Sequence, residues 1–146
     1  MKQVLLAYDG SAPAQRALVH AADLARPGDV VTVVNVMPEP GVSARMEPPI
    51  EERNRQWHFL EEAERRLAGR GLEVRKVGPV GDVASEILAA AEETGADVIV
   101  IGRRQGHRPH VLGSTSSRLV RSAECDVLVV HEGRGDRPAD AAGRAP

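Results

Sequence analysis

The sequence predicts an α/β protein whose parallel sheet carries helices on both faces. Three observations lead there. Five short apolar runs alternate with four stretches of helical periodicity over 146 residues. Three of those runs are apolar without interruption, the pattern of strands buried on both sides. Each helical stretch is long enough to cross over a sheet, which gives the order βαβαβαβαβ with right-handed connections and a three-layer sandwich.

Each element has a local reason. Residues 4–8 (VLLAY) read as the first strand. Over residues 11–25, Ala14, Ala17, Leu18, Ala21, Leu24 and Ala25 form one apolar helical stripe. Ser11 is suited to cap that helix, Pro13 is tolerated in its first turn, and Pro27-Gly28 ends it. Residues 30–36 (VVTVVNV) form the second strand. Residues 38–56 carry Pro38, Pro40, Pro48 and Pro49, so they are expected to be a surface loop running into the second helix. That helix is expected over 51–70, where Leu60, Ala63, Leu67 and Ala68 recur at helical spacing. Residues 72–77 alternate as a third strand. Asp82 then caps a helix over 83–94 that Gly95 stops. Residues 98–101 (VIVI) and 127–130 (VLVV) are the last strands, with a short helix at 114–122 between them. Residues 1–132 therefore form one domain, and 133–146, with no large apolar residue, form a disordered tail.

Composition narrows the function. The formal net charge is −2. That balance argues against a surface built for nucleic acid or an anionic membrane. Tyr8, Trp57 and Phe59 are the only aromatics, too few to stack single-stranded bases. The single cysteine, Cys125, excludes an internal disulfide and suits a reducing compartment. No run has a signal peptide's pattern or reaches the ~20 apolar residues of a membrane span. The expected location is the cytoplasm.

In open parallel sheets, ligands bind beyond the carboxyl ends of the strands. The most informative such place is the segment after the fourth strand, residues 102–114. It begins with Gly102 and ends in Gly113-Ser114-Thr115-Ser116 at a helix start. Glycine lets a ligand approach the backbone, and a helix N-terminus offers free N–H groups to an anion. The hydroxyls of Ser114, Thr115 and Ser116 add donors. Charge agrees: the −2 splits into +5 between Asp97 and Glu124, from Arg103, Arg104, Arg108, Arg118 and Arg121, and −7 elsewhere. Ordinary helix capping and a solvated basic loop explain the same residues, so the pattern alone leaves both open. His107-x-x-His110 lacks further ligands nearby, and no metal site is expected.

Rival folds lack their signatures. Asp9-Gly10-Ser11 after the first strand is no Gly-x-Gly-x-x-Gly, and no Gly-Lys-Ser/Thr occurs. Lys2 and Lys76, the only lysines, do not provide the lysine a receiver domain needs after its last strand.

Residues 1–131 resemble the universal stress protein family. The likeness rests on Ala7-Tyr8-Asp9-Gly10-Ser11, Asn35-Val36, Gly81-Asp82-Val83-Ala84-Ser85-Glu86-Ile87-Leu88, Ala96–Gly102, Gly113-Ser114-Thr115 and Cys125–Val130. It implies a Rossmann-like sheet of order 3-2-1-4-5, akin to adenine nucleotide alpha hydrolases, and often a homodimer. In the ATP-binding branch the loop after the fourth strand reads Gly-x2-Gly-x9-Gly-Ser/Thr. The resemblance then implies that Asp9, with Ala7 and Tyr8 beside it, faces the ribose and adenine. Val36 and Ile101 would line the base, and Gly102, Gly113, Ser114 and Thr115 would hold ribose and phosphates. This chain departs from the pattern. Gln105 stands at the second glycine, Gly106 comes one position late, and the loop is two residues short. Either Gly106 takes over through a reshaped loop, or the phosphate grip is altered and arginines such as Arg104 compensate.

The expectation is therefore a stress-response protein that binds ATP or AMP, with magnesium only if the phosphates bring it. Sensing rather than catalysis is expected, since no general base is evident. The rivals are a nucleotide-independent dimeric scaffold or chaperone-like factor, and, more weakly, a slow ATPase. If the last strand is a sheet edge, its uncharged residues 127–130 would pair two copies in a homodimer.

Overall fold

A computed structural model describes residues 1–39, 48–103 and 112–132. The elements are β1 (Gln3–Ala7), α1 (Ala12–Leu24), β2 (Val30–Val34), α2 (Ile50–Leu67), β3 (Glu73–Val77), α3 (Val83–Thr94), β4 (Val98–Gly102), α4 (Ser114–Ser122) and β5 (Asp126–Val130). All nine stand in the expected order, with ends shifted by at most three residues. The tail at 133–146 and part of the 38–56 segment lie outside the described residues.

The five strands are parallel in the order β3-β2-β1-β4-β5. Side chains alternate across the sheet. Val4, Leu6, Tyr8, Val31, Val33, Val98 and Val100 face Leu18 and Ala21 of α1 and Leu60, Ala63 and Leu67 of α2. Leu5, Val34 and Ile99 face Ala84, Ile87 and Ala91 of α3 and Leu119 of α4. Two cores on one sheet make the three layers.

The capping signals act as the sequence implies. Ser11 Oγ accepts the Ala14 N–H at 3.3 Å. Asp82 Oδ2 accepts the Ser85 N–H at 3.0 Å. Gly95 ends α3 at φ 64°, in the left-handed region. Three expectations change. Strand β5, at the sheet edge as the resemblance implied, is not buried on both faces, and Leu128 is 37% exposed. The strand buried throughout is β2, including Thr32. Helix α2 stops at Leu67, and Ala68, expected in its apolar stripe, is an exposed C-cap. No helix among the described residues is long and apolar enough to cross a membrane.

Candidate functional site

The carboxyl ends of β1, β2 and β3 are tied together by polar groups. The Asn35 side-chain amide donates to the Tyr8 carbonyl at 2.9 Å, joining β2 to β1. Gln56, buried in α2, donates through Nε2 to the carbonyls of Asn35 at 2.6 Å and Pro79 at 3.0 Å. Its Oε1 accepts from Arg53 Nη1 at 2.9 Å, so the amide is fully used. Met37 N–H donates to the Pro79 carbonyl and Gly81 N–H to the Met37 carbonyl, each at 2.9 Å. Val36 is thus held between two pinned neighbours. A polar residue on the buried face of α2 falls outside an apolar-stripe reading, and Gln56 was missed for that reason.

After β1 the chain turns sharply. Gly10 has φ 80°, and a Cβ there would stand 2.3 Å from the Phe59 ring. Glycine is required both by conformation and by the ring of α2 lying against it. Asp9 Oδ1 accepts the Ser11 N–H at 3.0 Å, which aligns the turn that starts α1.

Above these strand ends lies a cavity of about 520 Å³. Ala7, Val36 and Ile101 give it aliphatic walls; Val83 and Ile87 of α3 extend them. Asp9, Gly102, Gly113, Ser114, Thr115 and Ser116 also border it. The predicted residues Arg104 and Gly106, like His107 and His110, lie outside the described residues. Val83, Ile87 and Ala91 recur at helical spacing and form an apolar stripe of α3. Which end of that stripe overhangs the sheet is a matter of helix placement.

Tyr8 borders the cavity, and its ring is packed in the α1 and α2 layer, 2% exposed. Its hydroxyl donates to Glu62 Oε1 at 2.5 Å. Burial first, and the Glu62 carboxylate second, push its pKa up to about 12. Period-two alternation sends Tyr8 to the same face as Val4 and Leu6, opposite Ala7.

The two glycines that frame the loop have different reasons to be glycine. A Cβ on Gly102 would stand 2.1 Å from the Pro13 carbonyl oxygen, so Gly102 lets α1 approach β4. Gly113 has φ −63°, open to any residue, and no described atom within 4 Å of where a Cβ would be. Among the described residues nothing local demands glycine there. Gly113 is the N-cap of α4 and makes no side-chain cap bond. The first turn of α4 therefore presents backbone N–H groups, with the hydroxyls of Ser114, Thr115 and Ser116, at the cavity margin.

A second cavity of about 450 Å³ adjoins the first and shares Ser114 and Thr115 with it. Asp82 and Arg118 line it and pair with each other. Asp82 is held below the usual carboxylate range by hydrogen bonds from Ser85, with Arg118 contributing less. Arg118 was not singled out by the sequence beyond its place in the arginine excess. Its position four residues after Ser114, on the same helical face, was the available signal. Among the described residues no group of three His, Cys, Asp or Glu is arranged to hold a metal.

The model of the universal stress protein family matches residues 1–131. The chain belongs to the universal stress protein family. Universal stress protein G of Shigella flexneri is 32% identical over 123 residues, covering 79% of this chain and 87% of that protein. A universal stress protein solved in complex with cAMP superposes with a TM-score of 0.70 at 21% identity, covering 90% of this chain and 98% of that one. A universal stress family protein from Arabidopsis thaliana solved with AMP bound gives 0.69 at 19% identity, covering 97% and 99%. At those identities the two structures show the shared fold.

Proposed function

We propose that this universal stress protein binds an adenine nucleotide, ATP or AMP, across the ends of β1 and β4, and acts as a sensor through that occupancy. The base lies against Ala7, Val36 and Ile101, an aliphatic slot with Val83 and Ile87 above it. Asp9 accepts from the ribose hydroxyls. The phosphates sit on the first turn of α4, where N–H groups, hydroxyls and the helix dipole favour an anion. The observation that carries the reading is Gly113, a glycine with ordinary φ and no described atom within 4 Å of where its side chain would project. Relatives of the same fold hold AMP and cAMP, which supports an adenine nucleotide as the ligand class. Isothermal titration with ATP and AMP tests it. Heat of binding is expected for the native chain and its loss in Gly113→Val. Absence of heat at millimolar ligand would sink the proposal.

The proposed assembly is a homodimer formed at β5. This edge strand is apolar except for Asp126, and Leu128 is 37% exposed. Such an edge offers both open backbone groups and side-chain surface to a second copy. Antiparallel pairing about a two-fold axis satisfies both.

A further inference from the structure

We propose that Arg118 makes the site favour a polyphosphate nucleotide over a monophosphate, and that Asp82 holds Arg118 in reserve until phosphates arrive. This rests on the nucleotide reading above. Because Ser114 and Thr115 line both cavities, a phosphate on the first turn of α4 stands where the two meet. A monophosphate ends there. A longer phosphate chain has a further cavity of about 450 Å³ beside it. Arg118 is the one cation among the described residues lining that cavity. Glu39 and Asp82 are its acids, so phosphate gains there only if Arg118 turns to meet it.

Arg118 is engaged but not locked. Its Nη1 donates to Asp82 Oδ2, and its Nη2 donates to Ser85 Oγ at 2.6 Å. Asp82 Oδ2 also accepts the Ser85 N–H at 3.0 Å and the Ser85 hydroxyl at 2.7 Å. Asp82 therefore keeps its role as cap of α3 when Arg118 leaves. The two side chains are 44% and 62% exposed, and an ion pair so placed contributes little to stability. A terminal phosphate has more charge and more acceptor oxygens than one carboxylate, and suits the planar guanidinium fork better. The exchange is a transfer of hydrogen bonds from Asp82 and Ser85 to phosphate.

The experiment is calorimetric titration of the full chain with ATP and with AMP, in the native protein, Arg118→Met, Asp82→Asn and the double variant. Arg118→Met is expected to weaken ATP about fivefold and leave AMP within about twofold, the scale of an exposed charge-assisted contact. Asp82→Asn retains a side chain able to cap α3, so the fold is kept. It releases Arg118 and is expected to tighten ATP about threefold, a gain that vanishes when Arg118 is also Met. Equal losses of ATP and AMP in Arg118→Met, or an Asp82→Asn gain of the same size in both backgrounds, would overturn the assignment. Failure of the native chain to bind either ATP or AMP would instead overturn the underlying nucleotide reading.

Discussion

The two glycines flanking the loop after β4 should respond in opposite ways to the same added methyl group. At Gly102 a Cβ would stand 2.1 Å from the Pro13 carbonyl oxygen and 2.4 Å from its carbon. Both are backbone atoms, so either α1 or β4 must move. Overpacking of this kind costs about 1–3 kcal/mol, and about 2 kcal/mol lowers the midpoint of a chain this size by about 4–8 °C. At Gly113 the added methyl meets no described atom, and φ is −63°. Alanine is a poorer N-cap than glycine, but it restricts the unfolded chain. The two effects nearly cancel, within about 0.5 kcal/mol. Binding should invert the ranking. The Gly113→Ala methyl occupies space at the phosphate end and should weaken ATP about tenfold, or about 1.4 kcal/mol. Thermal melts and ATP titration of both variants decide it. A Gly102→Ala melt matching the native one would refute the packing argument, and unchanged ATP affinity in Gly113→Ala would refute the cradle.

Four other outcomes follow from the same geometry. Gln56→Met keeps the volume but takes the side-chain donor from the Asn35 carbonyl and leaves the Pro79 carbonyl with the Met37 N–H; urea unfolding should show a loss of about 1–3 kcal/mol, and a loss smaller than about 0.5 kcal/mol would remove Gln56 from its role in pinning the strand ends. Tyr8 is the only tyrosine, so absorbance near 295 nm reports it alone; its midpoint should lie at about 12 in the native chain, near the ordinary 10.0 when unfolded, and lower in Glu62→Gln. Because the folded value is raised, Tyr8 contributes stability below pH 10 that is lost as pH rises toward 12. Asp29 is held below its usual value of 3.8 by N–H bonds from Lys2 and Arg26, so it stabilises the fold above that pH and ceases to as pH falls through its lowered value. Asp29→Asn should therefore lose stability at pH 7 and show a flatter acid limb in urea melts between pH 5 and 2. Light scattering at micromolar concentration should give a dimer, and Leu128→Lys a monomer; a native monomer would contradict pairing through β5.

Much of the fold was legible because burial imposes periodicity. Uninterrupted apolar runs mark β1 and β4, which have neighbours on both edges and helices on both faces. The same signal misread β5, since an apolar strand at a sheet edge looks identical to a central one until its position is known. Caps were legible for a different reason: Ser11, Asp82 and Gly95 act within a few residues of themselves, so sequence neighbours contain the whole interaction. Gln56 was not legible, because its partners Asn35 and Pro79 lie more than twenty residues away.

The candidate site divides along the same line. The sequence by itself determined which residues stand at strand ends and helix starts, and with them Asp9, Val36, Ile101, Gly113 and Ser114. It also determined the arginine excess around the fourth crossover. Only the tertiary structure decided that the Tyr8 hydroxyl meets Glu62 of α2, that Val83 and Ile87 overhang the cavity, and that Arg118 meets Asp82 across two helices. It also separated Gly102 from Gly113, one glycine made necessary by a passing helix and the other by no described neighbour. Local rules act along the chain, whereas contacts between distant segments depend on how layers stack. That stacking sets which side of each residue is wall, core or open space.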